Sequence, residues 1–219
     1  MAVSILGSIT KSQYTATSVS HTVTSGTDVL YVLIGNRYTD GDIASVSWNG
    51  SSMTKVVGSG TPDFRVACVI FRTINPTATT ANITWTNASS RNFFLAAVNL
   101  AGVDTTTPEE DTDFKAPSST GTSSSLALTS QTGGLVLDVC AKIEDGVDDT
   151  WTIGGGQSDL YGVYDASYNP GVIGASSYEA GASSVTMSHS WLNSDFYSQA
   201  AIAVKPASGT SLFPLLGVG

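Results

Sequence analysis

Residues 91–108 read RNFFLAAVNLAGVDTTTP. After Asn92 the run stays apolar until Asn99, so the period-2 alternation of a half-buried strand is missing. A strand of this kind is covered on both faces or lies at the centre of a packed sheet. It stops abruptly at Ala101-Gly102 and passes through Asp104, three threonines and Pro108, which break extended structure and favour turns. The segments on either side read as further strands arranged around it.

Before it, Ser18–Thr24 (SVSHTVT) alternates polar and apolar residues, while Asp28–Gly35 (DVLYVLIG) and Arg65–Thr73 (RVACVIFRT) are fuller apolar strands. Ala44–Trp48 and Met53–Val57 flank Asn49-Gly50, the pair that suits a type I′ hairpin because both central positions need positive φ. Asn75-Pro76 turns the chain into Ala81–Thr86. Beyond Pro108, Glu109–Ser125 (EEDTDFKAPSSTGTSSS) is acidic and then rich in Ser and Thr, and it reads as a long surface connection. Strands resume at Leu126–Thr129, Leu135–Ile143, Trp151–Asp165 (interrupted by Gly154-Gly155-Gly156), Val172–Glu179, Val185–Trp191 and Phe196–Lys205.

Roughly a dozen short-turned strands in one chain favour a single antiparallel β-sandwich of jelly-roll type, two packed sheets, over an immunoglobulin-like one. No stretch reads as a helix of normal length, no repeat of solenoid or propeller type is visible, and no shift of composition divides the chain into two cores. The sandwich domain is expected over residues 1–206. Residues 207–219 (ASGTSLFPLLGVG) form an apolar tail. Exposing Phe213, Leu215 and Leu216 would be costly, so the tail is expected to dock on its own domain or on a neighbouring subunit.

Hydrophobic residues make up 41% of the 219-residue chain and charged residues 12%, the latter about half the usual share of ~25%. The polar surface must therefore be built mainly from Ser, Thr, Asn and Gly. A net charge of −9 argues against nucleic acid, which needs clustered Lys and Arg, and against anionic membrane surfaces. No apolar run approaches the length of a membrane-spanning helix, so no membrane insertion is expected. The opening MAVSILGSITKSQ lacks the positive and apolar regions of a secretory signal, and the expectation is a protein made and assembled in the cytosol. Cys68 and Cys140 lie in apolar strands and are expected to be free buried thiols.

Side chains that could carry chemistry are few. His21 and His189 each sit within an alternating strand, no G-x-S-x-G elbow is present, and no Cys/His spacing suits zinc, so catalytic residues and a zinc site are not expected. Carboxylates are the concentrated groups. Asp40 and Asp42 flank Gly41, and Glu144, Asp145, Asp148 and Asp149 form a second acidic loop. Calcium draws oxygens from such loops, which makes these six its candidate ligands, but none follows the EF-hand order and solvated loop acids are the preferred reading. Tyr161, Tyr164 and Trp191 in the aromatic C-terminal third are candidates for stacking under a sugar ring; core filling is the preferred reading for the four tryptophans.

Four stretches, VSWNGSSMTKV, VIFRTINPTATTANITWT, FFLAAVNLAGVDTTTP and GGLVLDVCA, together resemble a β-sandwich domain recurrent in bacterial surface proteins and in structural proteins of tailed bacteriophages. The resemblance covers about Ser18 to Lys205 and rests on turn and strand signatures; the tail after Lys205 departs from it. It implies a non-enzymatic virion protein, a capsid decoration, fibre or tail-associated subunit, with other virion proteins and copies of itself as partners and no cofactor. A carbohydrate-binding surface module, on phage or bacterial cell surface, is the alternative, and a polysaccharide-degrading enzyme a third.

Overall fold

The computed structural model describes residues 1–14, 16–37, 43–58, 66–87, 93–116, 120–143, 150–163 and 171–208, and among them there are antiparallel strands and no helix. One inner sheet runs in the order β1 (Ser4–Tyr14), β9 (Phe93–Ala101), β3 (Val29–Arg37), β7 (Val66–Ile74), β6 (Thr54–Gly58). A second inner sheet runs β10 (Glu109–Lys115), β16 (Ser184–Val204), β12 (Leu135–Ile143), β15 (Val172–Ala180), β14 (Ser158–Val163). A first outer sheet has the order β2 (Ser18–Thr22), β8 (Thr80–Asn87), β4 (Ile43–Trp48), β5 (Ser51–Ser52). The second outer sheet borrows the N-terminal half of the 21-residue β16, flanked by β11 (Thr120–Thr129) and β13 (Trp151–Ile153).

These sheets stack in four layers. Tyr31, Leu33, Ile70 and Val98 on one face of the first inner sheet meet Leu137, Val139, Ala200 and Ile202 of the second. The opposite face of the first inner sheet, with Leu30, Val32, Ile34 and Leu95, packs on Val46, Trp48, Ile83 and Trp85 of the first outer sheet. The second inner sheet turns Val136, Ala201 and Ala203 toward Leu126, Leu128, Val185 and Met187 of the second outer sheet. Strands β3, β9 and β12 are therefore covered on both sides and buried along nearly their whole length, which is why their sequences do not alternate.

The all-β antiparallel sandwich read from the sequence stands, and the two packed sheets are the middle of a thicker stack. The strand orders above do not by themselves establish a jelly roll. Asn49 (φ 48°) and Gly50 (φ 78°) form the expected hairpin corner, and Asn75 (φ 49°) turns the chain before Pro76. Glu109–Ser125 differs from expectation. Glu109–Lys115 is β10, on the edge of the second inner sheet, and Thr120–Ser125 opens β11, both laddered to β16. The N-terminal β1, laddered to β9, carried no clear strand pattern either. Edge strands are partly wet, so pairing rather than apolar composition defines them.

Two substitutions test the layering. Leu33→Ala, in the fully buried core between the inner sheets, is expected to cost about 2–5 kcal/mol in urea unfolding. Thr112→Ala, exposed on the β10 edge, should stay within ~0.5 kcal/mol.

Candidate functional site

Strand β12, LVLDVCAKI, contains one acid among apolar residues, and the fold buries it completely: Asp138 is 0% exposed. Its register places it opposite Ser177 of β15, and its side chain faces the second outer sheet. The Ser177 hydroxyl donates to Oδ1 at 2.5 Å, while the Gln199 amide and His189 Nε2–H donate to Oδ2 at 2.8 and 2.6 Å. Gln199 in turn accepts from the Ser124 hydroxyl at 2.7 Å and donates to the Met187 carbonyl at 3.1 Å. The tautomer of His189 follows from its other nitrogen, because the Trp151 indole N–H donates to Nδ1 at 3.1 Å and so leaves the proton on Nε2. A carboxylate removed from water is costly unless its lone pairs are filled, and here three donors fill them.

The arrangement brings Ser, Asp and His together in an order unsuited to nucleophilic attack. Ser177 is bonded to the carboxylate rather than to the imidazole, so no base faces its hydroxyl, and both imidazole nitrogens are engaged. Against this network lies a shallow groove of about 470 Å³ bordered by Ser123, Ser125, Thr152, Gly154, Ser188 and Ser190, with Ser124 and His189 of the network in its lining. It offers hydroxyls and backbone to a visitor, beside the nearly buried His189.

His21 sits in a second buried polar set, on the first inner sheet's side. Asn99 donates through Nδ2 to the Thr22 carbonyl at 2.9 Å, which fixes its Oδ1 as acceptor for His21 Nε2–H at 3.0 Å; Nδ1 then accepts from the Thr10 hydroxyl at 2.8 Å. Burial holds the His21 pKa below its ordinary value, with the Asn99 hydrogen bond working in the opposite direction. Between the inner sheets, Glu109 of β10 accepts from the Tyr31 hydroxyl at 2.6 Å and pairs with Arg72, and burial pushes the Tyr31 hydroxyl well above its usual range.

Trp191 is 5% exposed, stacked on Trp151 at 4.9 Å and 16°, and edge-on to Tyr197 at 5.2 Å; its N–H donates to the Gly121 carbonyl at 2.7 Å. With one face stacked, its N–H engaged and little of it exposed, it packs between layers, in keeping with the core-filling reading of the tryptophans. Tyr161 is half-buried, bonded through its hydroxyl to Gln13, edge-on to Phe94 at 6.5 Å, with the Lys11 ammonium 5.4 Å from its ring centre. It ties β14 to β1, and its ring too is occupied. Tyr164, the calcium candidates Asp40, Asp42, Glu144, Asp145, Asp148 and Asp149, and the docking candidates Phe213, Leu215 and Leu216 lie outside the described residues. Among the described residues, no group of three or more His, Cys, Asp or Glu is placed to hold a metal ion. Cys68 and Cys140 are free and buried. Cys68, on β7 of the first inner sheet, points into the core between the inner sheets, and Cys140, on β12 of the second, points the other way toward Trp191 and Tyr197; burial raises both thiols.

The VDTTTP exit is a joint. Asp104 Oδ1 accepts from the Thr106 and Thr107 amides at 2.9 and 3.2 Å, and Oδ2 lies 3.0 Å from the Lys205 ammonium. The Lys205 hydrogen bond, followed by those from Thr107 and Thr106, holds the Asp104 carboxyl down at about 2. Val103 also bridges to Pro206, so the exit of β9 is fastened to the exit of β16. Comparison with family models, with curated proteins and with solved structures found no match.

The sequence missed the Asp138 network. Its signal was a lone Asp inside a nine-residue largely apolar strand, but its partners come from two other strands, β15 and β16, and nothing local announces them. Asp138→Ala is expected to cost about 3–5 kcal/mol in urea unfolding, because His189, Gln199 and Ser177 lose a shared buried acceptor. His21 sets a pH dependence. Its folded pKa is depressed, so the unfolded chain takes up its proton first, and stability present above about 6.5 is lost as pH falls below that value. Urea unfolding at about pH 7.5 and about pH 5.5 should show a larger loss on acidification for the natural chain than for a His21→Leu, Asn99→Ala variant.

Proposed function

We propose that this chain is a non-enzymatic structural subunit of a tailed-bacteriophage virion, a capsid decoration, fibre or tail-associated protein acting through contacts with other virion proteins and with copies of itself. The observation that carries the reading is where the four familiar stretches fall. The WNG hairpin, the NP turn, the VDTTTP exit and the GGLVLDV strand are corners, joints and a central strand of the stack, as expected if they mark an architecture rather than a reaction. The reactive side chains support it too, because both histidines, Asp138 and both thiols are committed to internal packing. A carbohydrate-binding role draws less support, since Trp191 and Tyr161 spend their rings on intramolecular contacts.

The test is to purify particles of the producing phage on a density gradient and count copies of the chain by mass spectrometry. A fixed, symmetric copy number per particle is the expected outcome. Absence from purified particles, with a monomer in solution, would overturn the proposal.

A further inference from the structure

We infer that the chain is an intramolecular dimer: residues 1–108 and 109–208 are two copies of one two-layer strand unit, and the face that the two inner sheets present to each other is that unit's association surface, fitted to a second copy of itself. The inference does not rest on the virion reading.

Strand order is the first observation. Replacing β1, β9, β3, β7, β6 by β10, the C-terminal half of β16, β12, β15, β14 turns the first inner sheet into the second, position for position. Replacing β2, β8, β4 by β11, the N-terminal half of β16, β13 turns the first outer sheet, without its two-residue β5, into the second. The long β16 is thus the fused counterpart of β8 and β9, which the first copy keeps as separate strands.

Register is the second. One constant displacement carries the pairs Val29↔Ile74, Gly35↔Cys68 and Arg37↔Val66 onto Leu135↔Ala180, Ala141↔Gly174 and Ile143↔Val172. The irregularity between Lys55 and Val57 on β6 recurs between Asp159 and Tyr161 on β14, opposite the corresponding residues of the partner strand. Bonds outside the ladders recur as well. Asn75 N–H to the Asp28 carbonyl, 2.7 Å, becomes Gly181 N–H to the Gly134 carbonyl, 2.9 Å, and Asn49 N–H to Asn82 becomes Gly154 N–H to Ser188. The turns before β3 and β12 each hold a glycine at φ 87°, Gly26 and Gly133, a left-handed conformation that other residues adopt at a cost.

Side chains repeat only in part. Trp85 edge-on to Phe93 at 4.8 Å is matched by Trp191 edge-on to Tyr197 at 5.2 Å. The buried polar sets, by contrast, exist in one copy each. Asp138, Ser177, His189 and Gln199 stand where the first copy has Val32, Phe71, Ile83 and Leu95; His21 and Asn99 stand where the second has Leu126 and Ala203. A half-satisfied buried set is worse than an apolar patch, so such sets are gained or lost whole. Divergence of this kind explains why no repeat is visible in the sequence.

The ends close the argument. The first copy leaves β9 through residues 102–108, and the second leaves β16 beside it, with Ala207 N–H donating to the Gly102 carbonyl at 2.7 Å. The Met1 ammonium donates to the Ala207 carbonyl at 3.1 Å. Each copy's exit therefore lies close to an entrance, as it would in a two-fold pair whose connection could be made on either side.

Two forms of the full chain test this. In one, a protease site is inserted between Thr106 and Thr107, the folded protein is cut, and the pieces are unfolded in urea and refolded together. Recovery of the native circular-dichroism spectrum in a 1:1 pair, with an unfolding midpoint that rises with concentration, is the expected result. Pieces that stay unfolded or aggregate when mixed would overturn the inference. The other form is a permutant in the order 109–219 then 1–108, which keeps every residue. Should the inserted site prevent folding of the uncut chain, the permutant decides: a folded monomer supports the inference and an unfolded chain sinks it.

Discussion

Everything in this molecule depends on covering both faces of the inner sheets. A strand buried on both sides keeps its backbone groups satisfied only through its two ladder neighbours, and its side chains must be apolar or hydrogen-bonded among themselves. The consequences can be followed residue by residue. Close approach of the layers demands small residues at particular points: a Cβ on Gly35 would fall 3.0 Å from the Ala141 Cβ of the facing sheet, and one on Gly174 2.9 Å from the Phe94 ring. Alanines at 96, 97, 200 and 201 line the same layers. Polarity is displaced to the outer faces, where hydroxyls pair across strands, Thr22 with Thr80, Ser45 with Thr86 and Ser47 with Thr84. That is how a chain with so little charge still presents a wettable surface.

The two buried histidines show what this constraint tolerates. Each is neutral in its hydrogen bonding, one nitrogen donating and the other accepting, and each comes with a complete set of partners drawn from several strands. Asp138 is tolerated on the same condition. Such sets contribute little net stability relative to a well-packed apolar patch, yet removing one member leaves the rest unpaired. They fix which residues must face one another between layers, and the Asp138 set joins both inner and outer sheets of its half through Ser124, Ser177, His189 and Gln199.

What could be read from the sequence was whatever the backbone encodes locally. The apolar runs of β3, β7, β9 and β12 announced central strands, Asn49-Gly50 announced its hairpin, and Asn75-Pro76 its turn. The edges β1 and β10 were illegible because their identity comes from partners distant in the chain, Ser4 opposite Ala101 and Lys115 opposite Gln199. The Asp138 set was illegible for the same reason. The aromatic cluster around Trp191 shows the limit from the other side: composition can suggest a sugar platform, but only the geometry reveals that Trp151 stacks on its ring and Tyr197 packs against it.

The pairing of β1 with β9 also imposes an order in time. Seven strands lie between them in the chain, so during synthesis β1 has no ladder partner until residues 93–101 have followed. At ~5–20 residues per second that delay is of the order of 5–20 s. Throughout it β3, apolar on both faces, has at most β7 beside it. The nascent chain must therefore spend seconds displaying its stickiest segment with one edge open, and the arrival of residues 93–101 seals β1 and β3 at a single stroke.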